Sequence, residues 1–245
     1  MPEPIAAPRS RGRRRHRAWR EGGSSVARWD AEMLGWSIAS LGAGVLAARA
    51  AALLLPPVPA SIVATAVLWA SLTLPAIWAI RRSRPRGLTA FRWVDAVIGA
   101  VWGILLRIAQ GAFAAAAGQS AWPSAADLSS PVFIAEAAAA TVIAPVVEEF
   151  FFRAVVVVGV YTIVHRLSGR VAAVVAALIV STVLFVAAHG LVAPLAPADA
   201  SSLALVGAVA GICVLATGRI WPAILVHAVY NLTGIAVVVV ATLAV

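Results

Sequence analysis

The chain has 245 residues, of which 62% are hydrophobic and only 12% charged, with a formal net charge of +9. A soluble domain carries roughly 25% charged residues, so the composition excludes an ordinary water-soluble globule and indicates a protein bathed in lipid. The positive charge is concentrated in RSRGRRRHRAWR near the N-terminus and RRSRPRGLTAFR at 81–92, segments that suit the anionic cytoplasmic face of a membrane and not nucleic acid.

In chain order, residues 1–30 are rich in Pro, Arg, Gly and Ser and read as a disordered basic cytoplasmic tail. The transmembrane domain is expected over 31–245. Its first span, Met33–Leu55, is too long for a signal-peptide core and reads as uncleaved; Arg49 sits close enough to its outer end to snorkel. A second span covers 60–80, with Pro75 as an expected kink. The loop 81–92 carries five arginines and matches the N-terminal tail under the positive-inside rule, which places both in the cytoplasm. The third span, 94–117, holds Gly99 and Gly103 at a spacing that permits close helix contact. Arg107 lies near its middle and reads as half of a buried ion pair, with Glu136 or the Glu148-Glu149 pair as partner.

Residues 118–131 are polar and read as an extracytoplasmic loop. From 132 to 164 the chain is apolar except for Glu136, Glu148, Glu149 and Arg153, which is too long for one untilted span. HRLSGR at 165–170 is a basic turn, and 171–188 is the next span. An irregular loop follows at 190–200, then a short span at 201–217 carrying Gly207 and Gly211, and a last span from 223 to 245. The expectation is an all-α, polytopic transmembrane bundle of seven or eight spans. The lone Cys213 cannot form an intrachain disulfide and reads as a small core residue. His16 and His165 lie in basic segments and receive no role.

Ionisable groups at membrane depth are costly and mark functional sites. Glu149 and Arg153 are four apart and share a helical face, so they can pair. Glu148, turned about 100° away, has no local partner. His227 and Asn231 share a face in the same way, as do Phe185 and His189. A carboxylate with imidazoles can position and deprotonate a water, and an Asn amide can donate to a developing oxyanion. Glu148, His189 and His227 would equally make a three-ligand site for a divalent metal such as zinc. A glutamate-activated water without metal uses the same residues, and both readings stay open. No serine motif nearby suggests a nucleophile.

EEFFFR at 148–153, FVAAH at 185–189 and HAVYN at 227–231 resemble the EExxxR, FxxxH and HxxxN motifs of the CPBP intramembrane metalloproteases. That family takes in type II CAAX prenyl endopeptidases, bacteriocin-processing proteins and abortive-infection proteins. The resemblance covers about 132–235. It implies that Glu148 activates water, that Glu149 is its neighbour paired with Arg153, and that His189, His227 and Asn231 complete the water and oxyanion site, with Phe185 packed beside it. One departure is the apolar stretch VVVVGVYTIV after Arg153, where family members often turn basic sooner.

The leading expectation is therefore an intramembrane endopeptidase that hydrolyses a peptide bond of a membrane-associated substrate. It is placed in a bacterial cell membrane, as multi-pass with a cytoplasmic N-terminus, because the Ala-, Val- and Arg-rich composition suits a GC-rich genome. Bacteria generally lack prenylated CAAX proteins, so no prenylated substrate is implied. A non-catalytic scaffold or immunity protein on the same fold is the alternative. A proton-coupled carrier ranks lower, since no inverted repeat is evident. One geometric difficulty stands. If Arg166, Arg170 and Arg219 share one membrane face, helical rise puts Glu149 about 25 Å, His189 about 28 Å and His227 about 12 Å from it, and straight helices would not bring the three together.

Overall fold

The computed structural model describes residues 17–120, 123 and 127–244. Among these there is no strand. The helices are α1 (Ala31–Leu54), α2 (Pro57–Arg82), α3 (Trp93–Ala116), α6 (Pro197–Thr217) and α7 (Trp221–Leu243), with the run Pro131–Val192 between α3 and α6. That run is two helices that meet at Gly169, whose φ of 82° and ψ of −176° are not helical. We call its two arms α4 (131–168) and α5 (170–192). A residue with a Cβ is strained at that φ, whereas glycine adopts it freely.

Among the described residues, six helical runs are long and apolar enough to cross a membrane, with α4 and α5 counted as one run of 62 residues. The expected seven or eight is therefore too many by that count. The difference lies in this run, where two helices meet directly at a basic turn legible in the sequence and are counted together. The protein is a multi-pass helical membrane protein. The loop expected across 190–200 is shorter than the sequence suggests. Helix α5 continues to Val192, and α6 starts at Pro197, where a missing N–H costs nothing.

Close helix contacts follow from small residues. A Cβ on Gly99 would collide with Leu225, and one on Gly103 with Val229, so α3 packs backbone-close on α7. Helix α6 approaches α5 the same way, with Gly211 over Leu178. Pro75 lies inside α2 and removes the donor that would serve the Ser71 carbonyl. Ser40 Oγ of α1 supplies the replacement at 2.9 Å, which ties the first hairpin together at its weakest backbone position.

The N-terminal segment departs most from expectation. Residues 1–16, including His16, lie outside the described residues, but 17–30 are not a disordered tail. Trp19, Val26 and Trp29 are buried. Trp19 Nε1 donates to Gly218 O at 2.9 Å, and Arg20 Nη1 donates to Leu215 O and Ala216 O at 3.0 and 2.6 Å, so these two residues cap the end of α6. Arg166 Nη2 donates to Val26 O at 2.9 Å, and Trp29 Nε1 to Ser83 O at 2.9 Å. A basic composition suggested solvation, but the three tryptophan and valine side chains among the arginines find a ready apolar step to fill.

That step also resolves the depth difficulty. Trp19 bonds Gly218 while its ring meets Tyr161 edge-on, with centroids 5.3 Å apart. The α6–α7 turn is thus level with Tyr161, not with Arg166. Measured from that level at 1.5 Å per residue, Glu149 lies about 18 Å down α4 and His227 about 14 Å down α7. His189, on the arm returning from Gly169, comes to about 18 Å as well. Recessing Arg219 is possible because Asp95, fully buried, accepts from its Nε at 2.9 and 3.0 Å. Those hydrogen bonds push the Arg219 guanidinium up from its usual value, against the cost of burial, so the pair stays charged.

Truncating Trp19→Ala removes a fully buried aromatic and its hydrogen bond to Gly218, and is expected to cost about 3–5 kcal/mol. A clear fall in melting temperature in detergent is the expected result. A tail merely resting on the bundle would leave the melting temperature unchanged.

Candidate functional site

The carboxylate pair sits on a short α-helical segment, Ala144–Glu149, flanked by two wide π-helical stretches, Ala139–Ile143 and Phe150–Val157. Such turns accompany functional sites and present carbonyls to side-chain donors. Here Ala140 O accepts from Asn231 Nδ2 at 2.7 Å and Phe152 O from Ser181 Oγ at 2.9 Å.

Glu149 and Arg153 are both fully buried and meet at 3.1 Å (Oε2 to Nε). The contact is an ion pair and not an aligned hydrogen bond. Other helices take part of what remains, while Arg153 Nη1 has no hydrogen-bond partner. Arg153 Nη2 donates to Gly207 O of α6 at 3.2 Å. Its guanidinium lies 4.6 Å over the ring of Phe185 of α5. Glu149 Oε1 takes His227 Nδ1 of α7 at 3.0 Å.

That last contact sets the chemistry of His227. A carboxylate can only accept, so Nδ1 carries the proton, and in the neutral ring Nε2 presents a lone pair. It does so 4.0 Å from Glu148 Oε2. His189 is fixed in the same sense. Its Nδ1 is 2.8 Å from the Phe185 carbonyl, also an acceptor, and its Nε2 is 3.7 Å from Glu148 Oε2. Phe185, fully buried, packs against both imidazoles, with ring centroids 4.6 Å from His189 and 5.8 Å from His227. Glu148 Oε2 is itself buried and has no hydrogen-bond partner. With both imidazoles neutral, three acceptor atoms converge with no donor among them.

The donor set suits a divalent metal, and each imidazole already has the outer partner that metal-bound histidines use. The spacing suits it less. Tetrahedral zinc bonds of about 2.0–2.1 Å put ligand atoms about 3.3 Å apart, whereas these stand at 3.7 and 4.0 Å. No three His, Cys, Asp or Glu side chains among the described residues form a metal cage. Two acceptors bridged by one water, at about 2.8 Å each, fit those separations without movement.

Glu148 and His189 open onto a cleft of ≈260 Å³ whose other walls are apolar, including Leu41 of α1, Leu68, Trp69 and Leu72 of α2, and Leu195 of the α5–α6 loop. The sequence offered no signal for these α1 and α2 residues, since their apolar side chains are indistinguishable from lipid-facing ones. Ser181 was also missed, although it lies four residues before Phe185, on the face that leads to His189.

Two expected partners lie elsewhere. Asn231 is one turn from His227, but its amide is engaged with Ala140 O and it lines a different cavity. Arg107 makes no ion pair with Glu136, which is exposed, nor with the Glu148-Glu149 pair. It donates instead to Gln110 Oε1 at 2.6 Å and Tyr230 O at 2.7 Å.

A comparison with known protein families finds one match. Residues 130–233 match the family model described as type II CAAX prenyl endopeptidase Rce1-like. This segment is an Rce1-like domain, of the CPBP family. No curated protein and no solved structure matches the chain. The Rce1-like segment contains α4, α5, α6 and the first half of α7, and with them Glu148, Glu149, Arg153, His189, His227 and Asn231. It excludes α1 and α2, which wall the cleft. The family is one of proteases, which supports a hydrolase at that coarse level.

The two carboxylates of the Rce1-like domain should separate cleanly on mutation. Arg153→Met strips a buried carboxylate of its partner and is expected to cost about 3–5 kcal/mol. Glu148→Gln removes no protein hydrogen bond and should stay within about 1 kcal/mol of wild type. Thermal unfolding of the two variants side by side in detergent measures the difference.

Proposed function

We propose that the protein is an intramembrane endopeptidase in which Glu148 activates a water to hydrolyse a peptide bond of a membrane-associated substrate. The observation that supports this reading most is the convergence of Glu148 Oε2, His189 Nε2 and His227 Nε2, three acceptors whose common need is a shared donor. A water supplies two hydrogens and keeps a lone pair for attack.

In this mechanism the water sits against Glu148, oriented by His189. As its oxygen attacks the substrate carbonyl, its proton passes to Glu148. The scissile C–N bond then breaks, and Glu148 returns the proton to the departing amine. Glu149 takes no proton. It holds His227 in the Nδ1–H tautomer, as the buried carboxylate of a catalytic triad does, and Arg153 holds Glu149. Asn231 bonds Ala140 O and lines another cavity, so in this reading it holds α7 against α4 and is not the oxyanion donor. The substrate enters as an extended apolar segment between the α1–α2 hairpin and the end of α5, because the cleft offers it only Glu148 and His189 as polar groups among those walls. The basic segments at 17–30 and 81–92 face the cytoplasm of a bacterial cell, where anionic lipid retains them.

Cleavage of membrane-anchored peptides by the chain in proteoliposomes is the direct test. Glu148→Gln should lower the rate by about 10²–10⁴-fold, the usual worth of a positioned general base. Equal cleavage by wild type and variant would overturn the assignment. A strong chelator should leave wild-type cleavage intact; loss of activity restored by added zinc would instead assign the three acceptors to a metal.

A further inference from the structure

The site just described leaves Arg107 unexplained. It stands about 21 Å along α3 from Trp93 and about 14 Å from Ala116, within the hydrocarbon layer. An intramembrane cation pairs with an anion or with backbone carbonyls; Arg107 has the Tyr230 carbonyl, and no carboxylate among the described residues pairs with it.

The fold nevertheless builds a seat for its guanidinium. Tyr230 of α7 offers its ring face at 4.0 Å and its carbonyl at 2.7 Å, and Gln110 Oε1 takes Nη1. Gly234 leaves the space, since any Cβ there would strike the Arg107 Nη2 atom. These contacts use one hydrogen on each terminal nitrogen. The Nε–H has no partner, although it is shielded from solvent. Beside the seat lies a cavity of ≈590 Å³ lined by Arg107, Gln110 and Asn231 on its polar side and by apolar residues such as Ile108, Phe133 and Ile235 elsewhere. It shares no lining residue with the Glu148 cleft.

We propose that this cavity is a second binding site, which takes the anionic head of a membrane amphiphile against Arg107 and its apolar chain along Ile108 and Ile235. A carboxylate or phosphate oxygen can accept from the second hydrogens of the two terminal nitrogens of Arg107, which its protein contacts leave unused. The occupant supplies the anionic partner that Arg107 does not find among the described residues. Its source is either a phospholipid phosphate or a free fatty-acid carboxylate, which share this chemistry.

The test is thermal unfolding of the full chain in dodecyl maltoside with added dodecyl phosphate, laurate or zwitterionic dodecylphosphocholine. Both anionic amphiphiles should raise the melting temperature saturably by several degrees, and the zwitterion should not. Arg107→Gln should abolish the shift. Gly111→Leu should abolish it too, because it fills the cavity from a position with open space around it while keeping Arg107, so it decides the matter if Arg107→Gln does not fold. Nanodiscs of phosphatidylglycerol against phosphatidylcholine then separate the sources. Stabilisation by phosphatidylglycerol that blocks the laurate shift identifies the phospholipid, and an unblocked shift identifies the fatty acid. An equal shift with dodecylphosphocholine, or undiminished shifts in both variants, would overturn the proposal.

Discussion

A fully buried arginine and glutamate in the middle of an apolar bundle set the terms for everything around them. Moving two charges out of water costs several kcal/mol per ion, which mutual attraction repays only when the remaining donors and acceptors are also met. Arg153 and Glu149 meet part of that need with groups from separate helices: the Gly207 carbonyl of α6, the Phe185 ring of α5 and the His227 imidazole of α7. One ion pair on α4 thereby fixes the positions of three neighbours. Glu148 is useful because Glu149 has already been taken. An adjacent acid on the same helix is left facing two imidazoles whose protons are committed elsewhere.

The wide turns on either side of the pair contribute in a less visible way. An unbroken α-helix keeps its carbonyls for its own amides, and a side chain from a neighbouring span finds little to bond. The stretches 139–143 and 150–157 offer Ala140 O and Phe152 O to Asn231 and Ser181. Without water in the hydrocarbon, such contacts keep polar side chains satisfied. They also register α4 against α5 and α7 where apolar packing alone would allow sliding.

What could be read from the residues, and what could not, divides along a physical line. Helical spacing within one span shows which side chains share a face, so the pairing of Glu149 with Arg153 and the isolation of Glu148 were legible from i and i+4. Relative depth between spans was not, because it depends on where turns sit. Arg219 looked like a marker of the membrane surface, yet Asp95, 124 residues earlier, draws it inward. The span count differs for a related reason, since two helices that meet directly at Gly169 form one run. Arg107 looked like half of an acid–base pair, because sequence cannot show that its nearest acceptors are an amide and a backbone carbonyl. The basic N-terminal segment was misread from composition, which averages over the tryptophans that do the packing.

Residues 19 and 20 bind carbonyls at 215–218, across almost the whole chain. In a protein made from its N-terminus at 5–20 residues per second, that segment waits unpaired on one side of the membrane until α6 has been inserted and its end exposed. Docking of Trp19 and Arg20 is consequently a late event, and it reports that α6 and the preceding arm with His189 have arrived. The bundle is closed by the first part of the described chain to be synthesised and among the last to settle, so the docked segment acts as a seal on completed assembly.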